Sequence, residues 1–135
     1  MTADDCIFCS ILDGRLPATV IREDERTVAF MDINPATRGH CLVVPRVHHV
    51  DAIAADPADV AACSVAAADL AGRAVDRLGA DGAAIVSFAR PAAGQTVFHL
   101  HFHVVPRYLD DGLELPWVPR PGDPDEIASA AEALG

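Results

Sequence analysis

Three histidines alternate with apolar residues in the last third of the chain: His99, His101 and His103. Because side chains on a β-strand point alternately to its two faces, a strand here would place the three imidazoles in one row, about 6.5–7 Å apart. The other face would be apolar and fit to pack on a core. Near neutral pH an imidazole can act as a base, a nucleophile, a hydrogen-bond donor to phosphate or a metal ligand. The spacing therefore predicts a site of chemistry, since packing alone does not require such a row.

Two further candidates for chemistry lie near the N-terminus, where Cys6 and Cys9 form a Cys-x-x-Cys pair. Disulfides are disfavoured in a reducing compartment, so the pair is interpreted as metal-binding or redox-active. A redox role is the weaker interpretation, because no thioredoxin-type βαβ pattern surrounds the pair. Of the other two cysteines, Cys63 falls on the apolar face of a predicted helix, where a small buried hydrophobe is expected.

The composition limits the classes of partner. The chain has 135 residues, 51% of them hydrophobic, and a formal net charge of −10, which favours one globular domain over residues 1–135. The acidic balance argues against binding to nucleic acid or to an anionic membrane, but not against a small phosphorylated ligand. No secretory signal pattern and no apolar run of about 20 residues occurs, so we expect a cytoplasmic protein without a membrane span.

The elements that must position these residues follow from periodicity and from helix caps. Asp56 at the N-cap, Pro57 at the first helical position and Gly79 at the end delimit one long helix. Strands are predicted at Ala18–Glu23, Arg26–Met31, Cys41–Val44, Ala83–Phe88 and Val97–Pro106, and helices at Cys6–Asp13, at Asp56–Leu78 and from Asp123 onward. This order predicts an α+β fold, with an antiparallel sheet of about five strands, one long helix and a C-terminal helix.

Several of these segments together resemble the histidine triad (HIT) family, in its Hint-like branch. The matching segments are Cys6–Cys9, Phe30–Pro35, Gly39–His40, Val43–Arg46 and Ala93–Val105. They run from Cys6 to about Arg107, include the triad motif at 99–105, and leave out the tail at about 109–135. The resemblance implies a homodimeric hydrolase or transferase of nucleotides, which cleaves purine nucleoside 5'-phosphoramidates or related adenylates and releases the nucleoside monophosphate.

The resemblance also implies roles for single residues. His101 would be the nucleophile on the α-phosphorus, and a neutral imidazole suits that task because it attacks without first losing a proton. His40 resembles a family histidine near the nucleophile, although a structural role at the start of a strand is the alternative. The phosphate contacts would come from His103, Gln95 and Thr96, and the contacts with the nucleoside from Phe30, Asp32, Ile33 and Asn34, with the Asp32 carboxylate on the ribose hydroxyls.

By the same resemblance, Cys6, Cys9, His48 and His99 would hold a structural zinc ion. Two thiolates and two imidazoles are a ligand set that suits tetrahedral Zn²⁺, and four protein ligands leave no position for substrate. His49 is the alternative to His48, and two cysteines without a metal remain the simpler interpretation.

The chain departs from the family where many members carry Asn-x-Gly, because Phe88 or Ala89 stands at the asparagine position. Losing one such donor can lower a rate by about 10²–10³. Arg90 could replace the phosphate contact or be a surface charge. Three other functions therefore stay open: a dinucleoside polyphosphate hydrolase, a weakly catalytic nucleotide-binding or scaffold protein, and a catalytic metal site on the three histidines. Trp117 in the tail could cover a site, contact a partner subunit or simply pack.

Overall fold

A five-stranded antiparallel sheet with strand order β1-β2-β3-β5-β4 organises the fold. The structure is a computed structural model that describes residues 5–135, so the first four residues of the predicted domain lie outside it. The strands are β1 (Val20–Glu23), β2 (Thr27–Met31), β3 (Cys41–Pro45), β4 (Gly82–Val86) and β5 (Phe102–Arg107), and the helices are α1 (Ile7–Leu12), α2 (Pro57–Leu78) and α3 (Pro124–Leu134). The predicted α+β class is confirmed, and most element ends differ from the predictions by one to three residues.

One face of the sheet is covered by α2. The Asp56 side chain accepts a hydrogen bond from the Ala58 N–H, and Gly79 ends the helix with φ 69°, as the caps predicted. The buried stripe of α2 is rich in small residues, so the helix axis can lie close to the strands. This core contains Cys63, Ala66, Ala67 and Leu70 of α2 and Ala29, Cys41, Val43 and Val104 of the sheet.

The opposite face of the sheet carries a second core, formed with α1. Val28 and Phe30 of β2 alternate with the residues that face α2, because successive side chains of a strand point to opposite faces. Phe8 of α1 packs here, with its ring 5.5 Å from the ring of Phe30 in an edge-to-face arrangement. Both faces of the sheet are therefore buried, and α1 brings the two N-terminal cysteines to the face that holds the histidines.

The prediction of one long strand from Val97 was wrong, because β5 begins only at Phe102. Side chains and a loop, instead of a neighbouring strand, bind the backbone before it: the Leu100 N–H donates to the His49 carbonyl at 2.7 Å, and the His101 carbonyl accepts from Ser87 Oγ at 2.8 Å. Two of the three triad histidines thus precede the strand. They do not form the row that strict alternation predicts.

The C-terminal part of the chain, beyond β5, packs little on the rest of the molecule. No residue of α3 is buried, and Trp117 is 72% exposed. None of the helices among residues 5–135 has the length and apolar character needed to cross a bilayer.

Candidate active site and metal centre

Two cysteines and two histidines that are far apart in the sequence converge between α1, the loop after β3 and the segment before β5. The His99 Nδ1 lies 3.4 Å from the Cys6 Sγ and 3.5 Å from the Cys9 Sγ. The His48 Nδ1 lies 3.4 Å from the Cys9 Sγ and 3.2 Å from the His99 Nδ1. All four donor atoms lie within 4.8 Å of one another.

These distances fit a tetrahedral metal centre. With Zn–S bonds of about 2.3 Å and Zn–N bonds of about 2.0–2.1 Å, a ZnS₂N₂ tetrahedron has S–N edges of about 3.5 Å and an N–N edge of about 3.3 Å. The three S–N distances of 3.4–3.5 Å and the N–N distance of 3.2 Å agree with these edges. His49, the alternative ligand, faces away and places its Nε2 2.8 Å from the Asp59 Oδ2. The donor set therefore fits zinc through His48.

The proton positions of His99 also suit a metal ligand. Its Nε2 lies 3.0 Å from the Pro45 carbonyl oxygen, which can only accept, so Nε2 carries the proton and the Nδ1 lone pair faces the cysteines. Such an outer hydrogen bond is typical of metal-bound histidines. Burial lowers the pKa of His99 to about 4, so the ring is neutral at pH 7. Burial raises the pKa of the Cys9 thiol to about 11, so a bound metal would have to displace its proton.

His101 is held in one tautomer by the backbone. Its Nδ1 lies 2.7 Å from the His99 carbonyl oxygen, so Nδ1 carries the proton and Nε2 keeps its lone pair. The ring is 7% exposed and packs edge-to-face on Phe8, with ring centroids 5.1 Å apart. Burial lowers the pKa of His101. The result is a neutral imidazole with a fixed nucleophilic nitrogen.

A second fixed tautomer follows from a hydrogen-bond chain through His40. The Ala36 N–H donates to the His40 Nδ1 at 2.9 Å, so the proton of a neutral His40 is on Nε2, which lies 3.0 Å from the His103 Nδ1. His103 therefore accepts at Nδ1 and carries its own proton on Nε2. Burial lowers the pKa of His40 and takes that of His103 to about 4. His101 thus presents a lone pair and His103 an N–H, with ring centroids 5.0 Å apart.

This chain of hydrogen bonds argues against a catalytic metal on the histidines. Asp32, His40 and His103 also bring ligand atoms within 4.8 Å of one another. A metal on the His40 Nε2 would require a lone pair there, and hence a proton on Nδ1, where the Ala36 N–H already points. In addition, His99 turns its lone pair to the cysteines and away from His101 and His103.

The residues that the resemblance assigns to the nucleoside lie in different surroundings. Phe30 is 3% exposed in the core, whereas Ile33 is 90% exposed. The Asp32 Oδ2 lies 3.4 Å from the His40 Nε2, and its other oxygen accepts from the Asn34 N–H at 2.8 Å. Asp32 thus borders the histidine cluster, with exposed neighbours on one side.

The loop before the triad is closed by the Gln95 amide. Its Oε1 accepts from the Arg90 N–H at 2.7 Å, and its Nε2 donates to the carbonyls of Val50 and Val97 at 2.6 and 3.1 Å. Gln95 is buried, while Thr96 beside it is exposed. Arg90 has φ 75° and ψ 158°, a conformation that only glycine adopts without strain.

Phe88, which stands at or next to the family's asparagine position, contacts the triad. Its ring centroid lies 5.6 Å from that of His103. This aromatic contact, the Ser87 hydrogen bond to the His101 carbonyl and the packing of Phe8 were not predicted from the sequence. Each depends on the path of the segment before β5, which the alternating pattern suggested to be a strand.

The fold and the site together define a class: a small α+β protein with a pair of tautomer-fixed histidines next to a Cys₂His₂ cluster on the sheet. The family model of the HIT domain matches residues 13–110, and the chain belongs to the HIT family. The resemblance stated above is thereby confirmed, whereas a single domain over all of 1–135 stays a prediction.

Three relatives illustrate the match. The chain is 43% identical over 107 residues to an uncharacterized HIT-like protein of Methanocaldococcus jannaschii, covering 79% of this chain and 82% of that protein. It is 33% identical over 110 residues to an adenylylsulfatase of Arabidopsis thaliana, covering 82% of this chain and 56% of that one. A crystal structure of a zinc-bound histidine triad family protein from Mycobacterium smegmatis has a TM-score of 0.80 at 38% identity, covering 98% of this chain and 99% of that one.

Proposed function

We propose that this protein hydrolyses purine nucleoside 5'-phosphoramidates or adenylates at the α-phosphorus, through a nucleotidyl intermediate on His101. The observation that carries the proposal is the tautomer pair. The Nδ1–H of His101 is held by the His99 carbonyl, which leaves its Nε2 lone pair free, while the chain through His40 leaves His103 with an Nε2–H. A nucleophile and a hydrogen-bond donor to the phosphoryl group are the two parts that such a displacement needs.

The reaction proceeds in two steps. The His101 Nε2 attacks the α-phosphorus, a P–N bond forms, and the bond to the leaving group breaks with its electron pair going to the leaving atom. The ring gains positive charge as it attacks, which strengthens the hydrogen bond from Nδ1–H to the His99 carbonyl. His103 donates its Nε2–H to the phosphoryl or leaving-group atoms, where negative charge develops. Water then cleaves the P–N bond, which releases the nucleoside monophosphate and restores neutral His101.

The nucleotide contacts belong to the same proposal. Asp32 borders the histidines and would accept hydrogen bonds from the ribose hydroxyls. The exposed Ile33 offers an apolar surface to the base, with Asn34 beside it and Phe30 supporting the site from the core. Thr96, His103 and the loop closed by Gln95 would hold the phosphate. The name of the Arabidopsis relative supports an adenylate substrate, since an adenylyl sulfate carries an anionic leaving group on the α-phosphorus.

We further propose that Cys6, Cys9, His48 and His99 hold a structural zinc ion. The interatomic distances fit a ZnS₂N₂ tetrahedron, and the zinc-bound relative from Mycobacterium smegmatis supports the assignment. When bound, the ion would crosslink α1, the loop after β3 and the segment before β5, with no position left for substrate. A reducing compartment, which we take to be the cytoplasm, would keep both thiols available.

The protein is proposed to act as a homodimer that joins two sheets at their β4 edges. β1 and β4 are the edge strands. On β1, Arg22 pairs with Asp24 and Asp69, which protects that edge against pairing, whereas β4 has no charged residue and leaves Ile85 43% exposed. Uncharged edges are those that pair with another chain. Ile85→Lys should therefore give a monomer by light scattering, while wild type elutes as a dimer.

The chemical proposal is tested by mass spectrometry of protein mixed for milliseconds with adenosine 5'-phosphoramidate or adenylyl sulfate, quenched in base because a P–N bond to histidine is acid-labile. Wild type should show a transient nucleotidyl adduct with matching turnover, and His101→Ala neither. Binding without adduct or turnover in wild type would refute the enzyme and favour a nucleotide-binding scaffold, which the Phe88 contact with His103 makes the second candidate. Faster cleavage of a dinucleoside polyphosphate would instead favour that substrate class.

A further inference from the structure

Outside the candidate active site, a buried ion pair connects α2 with the loop after β3. The His49 Nε2 lies 2.8 Å from the Asp59 Oδ2, and the side chains are only 17% and 8% exposed. The other carboxylate oxygen of Asp59 is 3.2 Å from the Arg26 Nε. Asp59 lies in the first turn of α2, where the helix dipole favours a carboxylate. The pair therefore fixes His49 to a rigid helix.

The backbone of His49 leads from this pair to the nucleophile. Its carbonyl accepts the Leu100 N–H at 2.7 Å, and the peptide group that carries this N–H is the one whose carbonyl, on His99, accepts from the His101 Nδ1 at 2.7 Å. The two hydrogen bonds thus meet on opposite sides of one planar peptide group. Because the plane is rigid, the position of the His49 carbonyl sets the direction in which the His99 carbonyl points.

The hydrogen bonds in such a chain also polarise one another. A peptide N–H that donates makes the carbonyl of the same group a better acceptor, so the bond from Leu100 to His49 strengthens the hold of the His99 carbonyl on the Nδ1–H of His101. No other backbone acceptor for the Leu100 N–H is observed among the described residues.

We infer that His49 and Asp59 are positioning residues for His101, acting through the His99–Leu100 peptide group to fix the tautomer in which Nε2 is the nucleophile. The inference rests on the proposed function for its kinetic consequence but not for its structural one. Neither residue touches substrate. Loss of the pair would let the loop carbonyl move, so that the peptide plane could turn and His101 would populate the tautomer with its proton on Nε2.

The test compares His49→Ala and Asp59→Ala with two conservative variants, His49→Gln and Asp59→Asn. Glutamine keeps an N–H near the Nε2 position, and asparagine keeps a carbonyl oxygen for His49. Loss of one hydrogen bond of this kind predicts a fall in kcat of about two- to tenfold at unchanged KM for adenosine 5'-phosphoramidate, with substantial recovery in the conservative variants. The double variant His49→Ala/Asp59→Ala should fall no further than either single one, because both act on one contact.

Two measurements separate positioning from a general structural effect. Two-bond ¹H–¹⁵N spectra report which ring nitrogen of His101 is protonated, and we expect Nδ1–H alone in wild type and a mixture in the alanine variants. Zinc per protomer should remain at the wild-type value in all of them. Asp69→Ala is the matched control, since Asp69 is also an aspartate of α2 paired with arginines, Arg22 and Arg73, and it should leave kcat and the tautomer unchanged.

The outcomes are distinct. An unchanged His101 spectrum in both alanine variants would overturn the inference, and so would a fall in kcat that follows loss of zinc with the tautomer intact. If wild type shows no turnover at all, the proposed function fails, yet the tautomer spectra of the same variants still support or overturn the positioning role.

Discussion

The Cys₂His₂ cluster allows a sharp prediction about stability. Its donors join residues 93 and 51 positions apart in the sequence, so a bound ion would tie three segments of the native state that are independent in the unfolded chain. A ligand present at a thousand times its dissociation constant stabilises the native state by about 4 kcal/mol. For a domain of this size, 1 kcal/mol corresponds to about 3–4 °C in the unfolding midpoint. Removal of zinc should therefore lower Tm by on the order of 10–15 °C.

The assay is thermal unfolding of wild type, Cys9→Ala and Cys41→Ala, each with excess zinc and with a strong chelator. Cys41 is the matched control, because it is a buried free cysteine of β3 outside the cluster. Wild type and Cys41→Ala should each lose the same increment of Tm on chelation, and Cys9→Ala should start low and respond little. If wild type purified with zinc holds less than one ion per protomer, or if chelation leaves its Tm unchanged, the assignment of the cluster as a zinc site is wrong.

Three further predictions concern single side chains. Ser87→Ala removes the 2.8 Å hydrogen bond to the His101 carbonyl and should lower kcat about two- to tenfold in steady-state kinetics; an unchanged kcat would show that the bond does not support the nucleophile. Burial alone would raise the pKa of Asp24, but its backbone and side-chain hydrogen-bond donors outweigh burial and bring the pKa to about 2. Its stabilising effect should therefore be fully present above the unfolded pKa of about 3.9 and lost as the pH falls through 2. Urea unfolding should show Asp24→Asn to be less stable at pH 6 by on the order of 1 kcal/mol, a value reduced because the carboxylate is 43% exposed, with the difference vanishing near pH 2. Gly39 has φ 91°, and an added Cβ would lie 2.5 Å from a side-chain atom of Leu78, so Gly39→Ala should destabilise by more than about 2 kcal/mol. Gly72→Ala, which meets nothing within 4 Å in the middle of α2, should stabilise by about 0.5–1 kcal/mol in the same unfolding assay.

The fold was largely predictable because its signals are local. The caps of α2 and the apolar stripe between them require only a helix and a core, and both occur where the pattern indicated. The cysteine and histidine cluster was predicted through the resemblance, since spacing alone left His48 and His49 open. The structure separates them by the direction of the loop, which turns His48 to the thiols and His49 to Asp59.

The segment before β5 could not be predicted from alternation. Its apolar and histidine residues fit a strand equally well, but the Leu100 N–H is taken by a loop carbonyl and the His101 carbonyl by the Ser87 hydroxyl. Sequence patterns report which faces are apolar, and they do not report which distant groups complete the backbone hydrogen bonds. For the same reason, the tautomers of His101 and His103, on which the chemistry depends, become visible only in three dimensions.

Arg90 sets stability against activity at a single position. Its backbone conformation is strained by about 1–3 kcal/mol for any residue other than glycine, a sizeable part of the roughly 5–15 kcal/mol by which a domain is stable. Glycine would relieve that strain and still leave the N–H for Gln95. A selection for heat resistance alone would therefore be expected to remove this arginine early, whereas selection for turnover would keep it if its guanidinium meets the leaving group. The residue found there after such an experiment would record which of the two demands the protein was under.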